Sequence, residues 1–167
     1  MKKTQRTTLI LSVIYLILLT WIILLKTQFS FADLGHFRSI NLIPFGASVV
    51  TNGTINPDEI FNNLIVFIPV GLYLGMLKPD WSFPQKVLPV FGLSLFYEVV
   101  QYLFAIGASD ITDLITNTAG GVVGLLLFAL FQKCLKEKTG KVLNLLASIA
   151  TLLLLGFFFL ILVANGF

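Results

Sequence analysis

Residues 97–121 read YEVVQYLFAIGASDITDLITNTAGG, and this stretch places several polar side chains inside a strongly apolar chain. Its carboxyl and carboxamide side chains are those of Glu98, Gln101, Asp110, Asp113 and Asn117. A charged side chain inside a membrane costs ~3 kcal/mol or more. Because of that cost, a carboxylate within an apolar span is a functional hypothesis, and Glu98 is the clearest case in this chain.

The composition is typical of an integral membrane protein. Of 167 residues, 57% are hydrophobic and 11% are charged, whereas about a quarter of the residues of a soluble domain are charged. Apolar segments of roughly 18 residues or more are candidate membrane spans. The sequence therefore predicts an all-α bundle of five transmembrane helices, in a single domain over residues 1–167. The predicted spans are residues 9–25, 60–77, 87–106, 114–131 and 142–163.

The basic residues divide unevenly between the two sides of this bundle. Of the eleven Lys and Arg residues, Lys26 and Arg38 lie on one side and all the others lie on the side of the N-terminus. Short cytoplasmic loops collect Lys and Arg, which predicts a cytoplasmic N-terminus and an extracellular C-terminus. The first apolar segment also resembles a signal peptide. It is longer than a usual signal core, so we interpret it as an uncleaved span.

The predicted topology brings polar residues of separate helices to one depth near the outer surface. Residues three or four apart share a helix face, which groups the polar pairs of helices 3 and 4. Asp110 lies in the short turn between these helices, which are predicted to form an antiparallel hairpin. The candidate ligand-binding residues are Glu98, Gln101, Asp110, Asp113, Asn117, Asn63, Asn62, Arg38 and Asn41. The candidate catalytic residues are Glu98, Asp110 and Asp113.

Glycines follow the polar residues of helix 4. Small residues spaced four apart let helix backbones approach closely in a membrane, and Gly120 and Gly124 have this spacing. We predict that the helix 3–4 hairpin closes on these glycines beneath the polar cluster. In helix 2, Pro69 cannot donate a backbone hydrogen bond, which predicts a kink. Helix 5 is almost wholly apolar and is predicted to face lipid.

The outer loop contains the segment SINLIPFGASVV, residues 39–50, which is too apolar for a free solvent loop. It is also too short to span a bilayer, so we expect it to be partly embedded over the pocket. Arg38 precedes this segment. Its guanidinium is predicted either to hold Glu98 or an aspartate, or to bind a phosphate or carboxylate of a ligand.

Taken together, four blocks resemble the VanZ-like family of small membrane proteins, over roughly residues 41–131. The blocks are Asn41-x-x-Pro44-Phe45, Asn63-x-x-x-Phe67-x-Pro69-x-Gly71, Ser94-x-x-x-Glu98-x-x-Gln101 and Asp110-x-x-Asp113-x-x-x-Asn117-x-x-Gly120-x-x-x-Gly124. The resemblance implies a multi-pass protein of the bacterial plasma membrane, associated with resistance to lipid-bearing glycopeptide antibiotics such as teicoplanin. Many family members carry an arginine between the helix 3 glutamine and the first aspartate. Residues 103–109 of this chain contain no basic residue, which leaves Arg38 as the outer-side candidate for an anion clamp.

Three functions are compatible with these residues. The first is binding of a lipid-linked cell-wall precursor or a lipoglycopeptide at an outer-leaflet pocket, among membrane lipids. The second is an intramembrane enzyme in which Glu98, Asp110 and Asp113 transfer protons or hold a divalent cation. The third is proton-coupled transport through buried carboxylates. The sequence shows no His-rich metal spacing and no basic stripe with interleaved aromatic residues, so it predicts no metal, no cofactor and no nucleic-acid partner. It leaves the oligomeric state open.

Overall fold

The computed structural model describes residues 3–25, 37–45, 50–51, 54–55 and 57–164, and these form a mostly helical fold. The helices are α1 (Lys3–Leu25), α2 (Pro57–Leu77), α3 (Phe83–Phe104), α4 (Ile111–Leu135) and α5 (Thr139–Ala164), and the strands are β1 (Phe37–Asn41), β2 (Val50–Thr51), β3 (Thr54–Ile55) and β4 (Ile106–Asp110). Four helical stretches of the described chain are long and apolar enough to cross a membrane, and the last of them combines α4 and α5. These stretches confirm the prediction of a mostly helical bundle with several candidate membrane spans.

Helices α1 and α3 run in the same direction. The hydroxyl groups of Thr20 and Tyr97 lie 2.9 Å apart, and one turn further along both helices Gln101 Nε2 donates to the carbonyl of Ile23 at 3.3 Å. Tyr97 is almost completely buried in the core of the bundle. This contact brings the end of α1 beside the polar half of α3.

Helices α1 and α5 also run in the same direction. Near their beginnings, Asn144 Nδ2 donates to the carbonyl of Thr4 at 3.0 Å, and Thr8 Oγ1 donates to Asn144 Oδ1 at 3.0 Å. Near their ends, the rings of Trp21 and Phe158 pack edge to face with centroids 4.9 Å apart. Most apolar side chains of α5 are exposed, in agreement with its predicted position at the lipid-facing periphery.

Helices α2 and α4 pack with their backbones in direct contact. A Cβ atom added at Gly120 would collide with the carbonyl oxygen of Leu64, and one added at Gly124 would collide with that of Ile68. A Cβ at Gly71 would meet the α4 backbone in the same way. The contacts advance together along both sequences, so the two helices are parallel. Small residues are the ones that allow such an approach between membrane helices.

The sequence predicted the right glycines but the wrong main partner. We expected the α3–α4 hairpin to close on them, whereas Gly120 and Gly124 face α2. Gly121 does face α3, where an added Cβ would collide with the side chain of Val90. The face of α4 below its polar residues is therefore shared between α2 and α3. Helix α2 continues through Pro69 as one helix.

The link between α3 and α4 is a strand, not the short turn that we predicted. Helix 3 was expected to reach residue 106, but Ala105 adopts a left-handed conformation (φ 55°) and ends α3 at Phe104. The five residues of β4 then pair in parallel with β1, from Phe37 opposite Ile106 to Asn41 opposite Asp110. This pairing supplies backbone hydrogen bonds to a segment that has left the helix. It also places Asn41 beside the start of α4.

We call residues 39–50 the outer segment, and its described part exposes apolar side chains. The side chains of Ile40, Leu42, Ile43 and Phe45 are all solvent-accessible in the isolated chain. Residues 46–49 of the predicted embedded segment lie outside the described residues. Partial embedding of residues 39–50 in the bilayer stays a prediction, and it would give these apolar side chains lipid to contact.

We predict that enlarging a glycine of the α2–α4 contact destabilises the protein. Gly124→Ala places a methyl group against the carbonyl of Ile68, which forces the helices apart at a cost of roughly 1–3 kcal/mol. Gly156→Ala in α5 is the matched control, because a Cβ there meets open space. Thermal unfolding in detergent should give a lower midpoint for Gly124→Ala alone. Equal midpoints for the two variants would show that the backbone contact is not limiting.

The predicted orientation can be tested with the lone cysteine. Cys134 is exposed and lies at the end of α4, on the predicted cytoplasmic side. A membrane-impermeant maleimide should therefore label it in permeabilised cells and leave it unlabelled in intact cells. The matched control is Asp58→Cys in a Cys134→Ser background, because Asp58 is exposed in the first turn of α2, at the opposite end of the bundle. Labelling of Cys134 in intact cells would reverse the assigned topology.

Candidate functional site

The predicted polar residues surround one cavity. Its volume is about 390 Å³, and it lies where α1 ends, α2 begins, α3 ends and α4 begins. We call it the polar cavity. The described residues that line it are Ile22, Ile23, Glu59, Asn62, Asn63, Val66, Glu98, Gln101, Ala108, Asp110, Asp113 and Asn117. Seven of the nine ligand-binding candidates are in this set, and they come from three helices and from the strand β4.

Glu98 ties the end of α3 to the start of α4. Its side chain is 7% exposed, and Oε2 accepts a hydrogen bond from the backbone N–H of Asp110 at 2.8 Å. The carbonyl of Glu98 accepts a second one from Ser109 Oγ at 2.7 Å. Both contacts span the strand β4. The hydrogen bond from Asp110 fixes the carboxyl group at the wall of the cavity.

Asp110 is held by the start of α4 and by β1. One carboxylate oxygen accepts from the N–H of Thr112 at 2.7 Å and caps the helix. The other accepts from Asn41 Nδ2 at 3.0 Å. Aspartate is among the preferred residues at this capping position. Asp110 therefore has a structural role in addition to lining the cavity, and its two oxygens join α4 to the outer segment.

The outer segment is fastened at two further points. Asn41 Oδ1 accepts from the N–H of Ile43 at 3.1 Å, which closes a turn just after β1. The N–H of Phe45 donates to Thr112 Oγ1 at 3.0 Å. Asn41 thus lies at the edge of the site as a positioning residue, and residues 41–45 are fixed against the first turn of α4.

Two other side-chain pairs hold α4 against its neighbours. Asn63 Nδ2 of α2 donates to Asp113 Oδ1 at 2.7 Å. Asn117 Nδ2 donates to Ser94 Oγ of α3 at 3.0 Å. Each carboxamide donates one N–H group to a contact within the protein.

The carboxamide of Gln101 has a fixed orientation and an oxygen without a partner among the described residues. Its Nε2 donates to the carbonyl of Ile23, and a carbonyl can only accept, so the orientation of the carboxamide is fixed. Its Oε1 is buried without a hydrogen-bond partner among the described residues, and so is Oδ1 of Asn117. The two side chains are 7% and 2% exposed, respectively. A buried acceptor without a partner costs about 1–3 kcal/mol.

Arg38 does not meet the cavity carboxylates. Its side chain is exposed, donates from Nη2 to the carbonyl of Leu103 at 3.0 Å and lies over the ring of Tyr102, with the guanidinium carbon 5.8 Å from the centroid. The expectation that it holds Glu98 or an aspartate is not met. It remains a candidate for an anionic group of a ligand at the outside of α3.

Sequence reasoning missed Glu59, which lines the polar cavity from the first turn of α2. It lies just before the predicted span of residues 60–77, where a carboxylate looked like an ordinary flanking charge. Its distance of four residues from Asn63 was the available signal, because residues four apart share a helix face. Asn62 also lines the cavity, although its side chain is mostly exposed.

An apolar groove lies on the other side of Glu98 and Asp110. Its volume is about 280 Å³, and both acidic residues contribute to its wall. We call it the apolar groove, and its other lining residues are Ile40, Asn41, Leu42, Leu95, Val99, Tyr102, Leu103, Ser109, Ile111 and Leu114. A polar cavity and an apolar groove therefore adjoin at one pair of carboxyl groups.

The carboxyl groups do not converge as metal ligands do. Within the described part of the chain, no three His, Cys, Asp or Glu side chains come close enough to hold a metal ion. Ca²⁺ and Mg²⁺ need six or more oxygen ligands close around one point. The arrangement that the structure shows is a lining of acceptors around a cavity large enough for an organic group.

Comparison with known proteins agrees with the pattern of these residues. A sequence model of the VanZ/LLP1 family matches residues 12–132, a range that contains most of the cavity and groove. Over 127 residues the chain is 43% identical to Protein VanZ of Enterococcus faecium, and the match covers 75% of each protein. No solved structure matches the chain. The extent of both sequence matches leads to one conclusion: the chain belongs to the VanZ-like family.

Proposed function

We propose that this protein is a multi-pass plasma-membrane protein of a bacterial envelope, and that it binds an amphiphile at the outer leaflet. The amphiphile would be a lipid-linked cell-wall precursor or a lipoglycopeptide. Binding would contribute to resistance against teicoplanin-like glycopeptide antibiotics. Membership of the VanZ-like family supports the link to resistance, and the geometry of the site supports binding.

The observation that carries the proposal is the adjacency of the polar cavity and the apolar groove. Glu98 and Asp110 belong to the walls of both. A molecule with a polar head and an acyl chain can place its head in the cavity and its chain in the groove. Ligand sites usually combine an apolar lining with a few placed polar groups, and this pair of sites divides those two surfaces between the two ends of one ligand.

The depth of the site fits the same ligand class. Most described lining residues of the polar cavity lie in the end of α1, the first half of α2, the second half of α3 or the beginning of α4, which the charge distribution assigns to the outer side. Lipid head groups occupy that depth in a bilayer. The apolar groove opens among exposed side chains of α3, including those of Leu95, Val99 and Leu103. An acyl chain can therefore reach the groove from the surrounding lipid.

Binding fits the structure better than the two alternatives. A general acid or base needs access to substrate, which argues against Asp110 in that role, because both of its oxygens are engaged in capping α4 and holding Asn41. A transport path needs polar groups through the whole bundle. The described pocket beyond the polar cavity, between α1, α2 and α5, is lined almost entirely by apolar residues, with a volume of about 430 Å³.

We predict that the double substitution Glu98→Gln, Asp113→Asn abolishes the resistance that the protein confers. Both changes preserve shape and an acceptor oxygen, so the hydrogen bonds from the Asp110 N–H and from Asn63 can persist. What is lost is two ionisable carboxyl groups of the polar cavity. The minimal inhibitory concentration of a lipid-bearing glycopeptide should fall to that of cells without the protein. Membrane levels should be unchanged.

The matched control removes two charges far from the site. Asp80→Asn, Glu137→Gln changes two exposed side chains in the loops at the opposite end of the bundle. This variant should keep full resistance. If the cavity variant protects as well as the wild type against lipid-bearing and lipid-free glycopeptides alike, the pocket has no part in resistance.

A further inference from the structure

The lining of the polar cavity contains acceptor atoms that the described residues leave unused. Three of its carboxamides each donate one N–H group within the protein: Gln101 to Ile23, Asn117 to Ser94 and Asn63 to Asp113. The acceptor atoms Gln101 Oε1 and Asn117 Oδ1 remain buried without a partner among the described residues. A ligand that satisfies this lining must bring hydrogen-bond donors.

The acidic side chains of the lining determine which kind of hydrogen-bond donor a ligand should bring. Four carboxyl groups contribute to the wall, those of Glu59, Glu98, Asp110 and Asp113. The described lining residues include no Lys, Arg or His. A cationic donor is attracted by such a surface, whereas a neutral hydroxyl gains only the hydrogen bonds and an anion is repelled. The absence of a convergent carboxylate cluster in the described chain argues against a bare metal ion.

We infer that the polar cavity takes the protonated primary amine of an amphiphile, with Gln101 Oε1 and Asn117 Oδ1 accepting its N–H groups. This rests on the proposed function and names the head group that the site recognises. An ammonium group has three donors and no acceptor, so it matches two orphaned carbonyl oxygens and an acidic wall. Its acyl chain lies in the apolar groove. The amine comes from a membrane lipid or from a lipoglycopeptide, and the chemistry recognised is the same.

The test compares two lipids that differ only at the head-group nitrogen, which carries three hydrogens in one and three methyl groups in the other. The full-length protein is placed in phosphatidylglycerol nanodiscs with a trace of a photoreactive probe that carries a diazirine on its acyl chain. One probe is a phosphatidylethanolamine and the other is the corresponding phosphatidylcholine. Both carry one positive charge on nitrogen, but the quaternary ammonium of choline has no N–H donor. Labelling is measured by intact mass spectrometry, and labelled peptides are mapped.

We expect the ethanolamine probe to label groove residues such as Leu95, Val99 and Leu103 about ten times more than the choline probe. Hydrogen bonds to a charged group have this order of effect, since about 1.4 kcal/mol corresponds to a factor of ten. Gln101→Met removes one acceptor and should reduce the preference severalfold. Equal labelling by the two probes in the wild type would overturn the inference.

A matched pair of substitutions distinguishes loss of an acceptor oxygen from loss of folding. Asn117→Asp keeps an acceptor oxygen that the Ser94 hydroxyl group can still contact, whereas Asn117→Leu removes every acceptor at similar size. The aspartate variant should retain the ethanolamine preference, and the leucine variant should lose it with an unfolding midpoint close to that of the aspartate variant. A preference that persists in the Asn117→Leu, Gln101→Met double variant would show that these oxygens do not receive the amine.

The source of the amine is resolved by competition. An unlabelled lipoglycopeptide that displaces the ethanolamine probe with its amine free, but not after acetylation, identifies the antibiotic as a ligand of the same site. Displacement by neither form assigns the site to membrane lipid.

The inference and the proposed function can fail separately. If the ethanolamine preference holds while Glu98→Gln, Asp113→Asn keeps full resistance, the amine site stands and the link to resistance is wrong. If resistance depends on these carboxylates while the two probes label equally, the function stands and the amine assignment is wrong.

Discussion

The contact between the backbones of α2 and α4 is the constraint on which the site depends. Gly71, Gly120 and Gly124 leave no room for a side chain between the two helices, and their spacing fixes how far one helix is shifted along the other. That shift brings Asn63 level with Asp113, at 2.7 Å. A methyl group in the contact would move the helices apart and separate this pair. The glycines therefore set the width of the polar cavity above them, although none of them lines it.

A second constraint comes from the backbone where α3 ends. Peptide groups that leave a helix near a membrane need new hydrogen-bond partners, because unsatisfied groups are costly in an apolar environment. The segment 106–110 finds them in β1, and its last N–H finds Glu98. The same carboxyl group that lines the cavity thus also completes the backbone of the connection. Glu98 therefore contributes both to the fold and to the proposed binding site. This double role gives a physical reason for a carboxyl group within the apolar helix α3.

The distribution of donors and acceptors gives the site its chemical character. The protein uses one amide N–H group each of Asn63, Gln101 and Asn117 to join its helices, and the carbonyl oxygens of Gln101 and Asn117 accept no hydrogen bond from the described residues. The apolar groove beyond Glu98 adds a surface for hydrocarbon. A head group rich in donors joined to an acyl chain is the complement of these two surfaces. Arg38, on the outside of α3, is separate from this arrangement.

The sequence by itself determined the helical membrane character, the alternating helix directions and the polar residues that share one end of the bundle. These follow from hydropathy and from residue spacing along single helices, which are local properties. Only the tertiary structure decided that the glycines face α2, that β4 pairs with β1, that Glu59 joins the lining, and that Arg38 turns toward Tyr102. The reason is that helical periodicity defines which residues share a face, but not which neighbour that face contacts. The neighbour is chosen by packing and by hydrogen bonding between segments distant in the chain, and no local pattern records it.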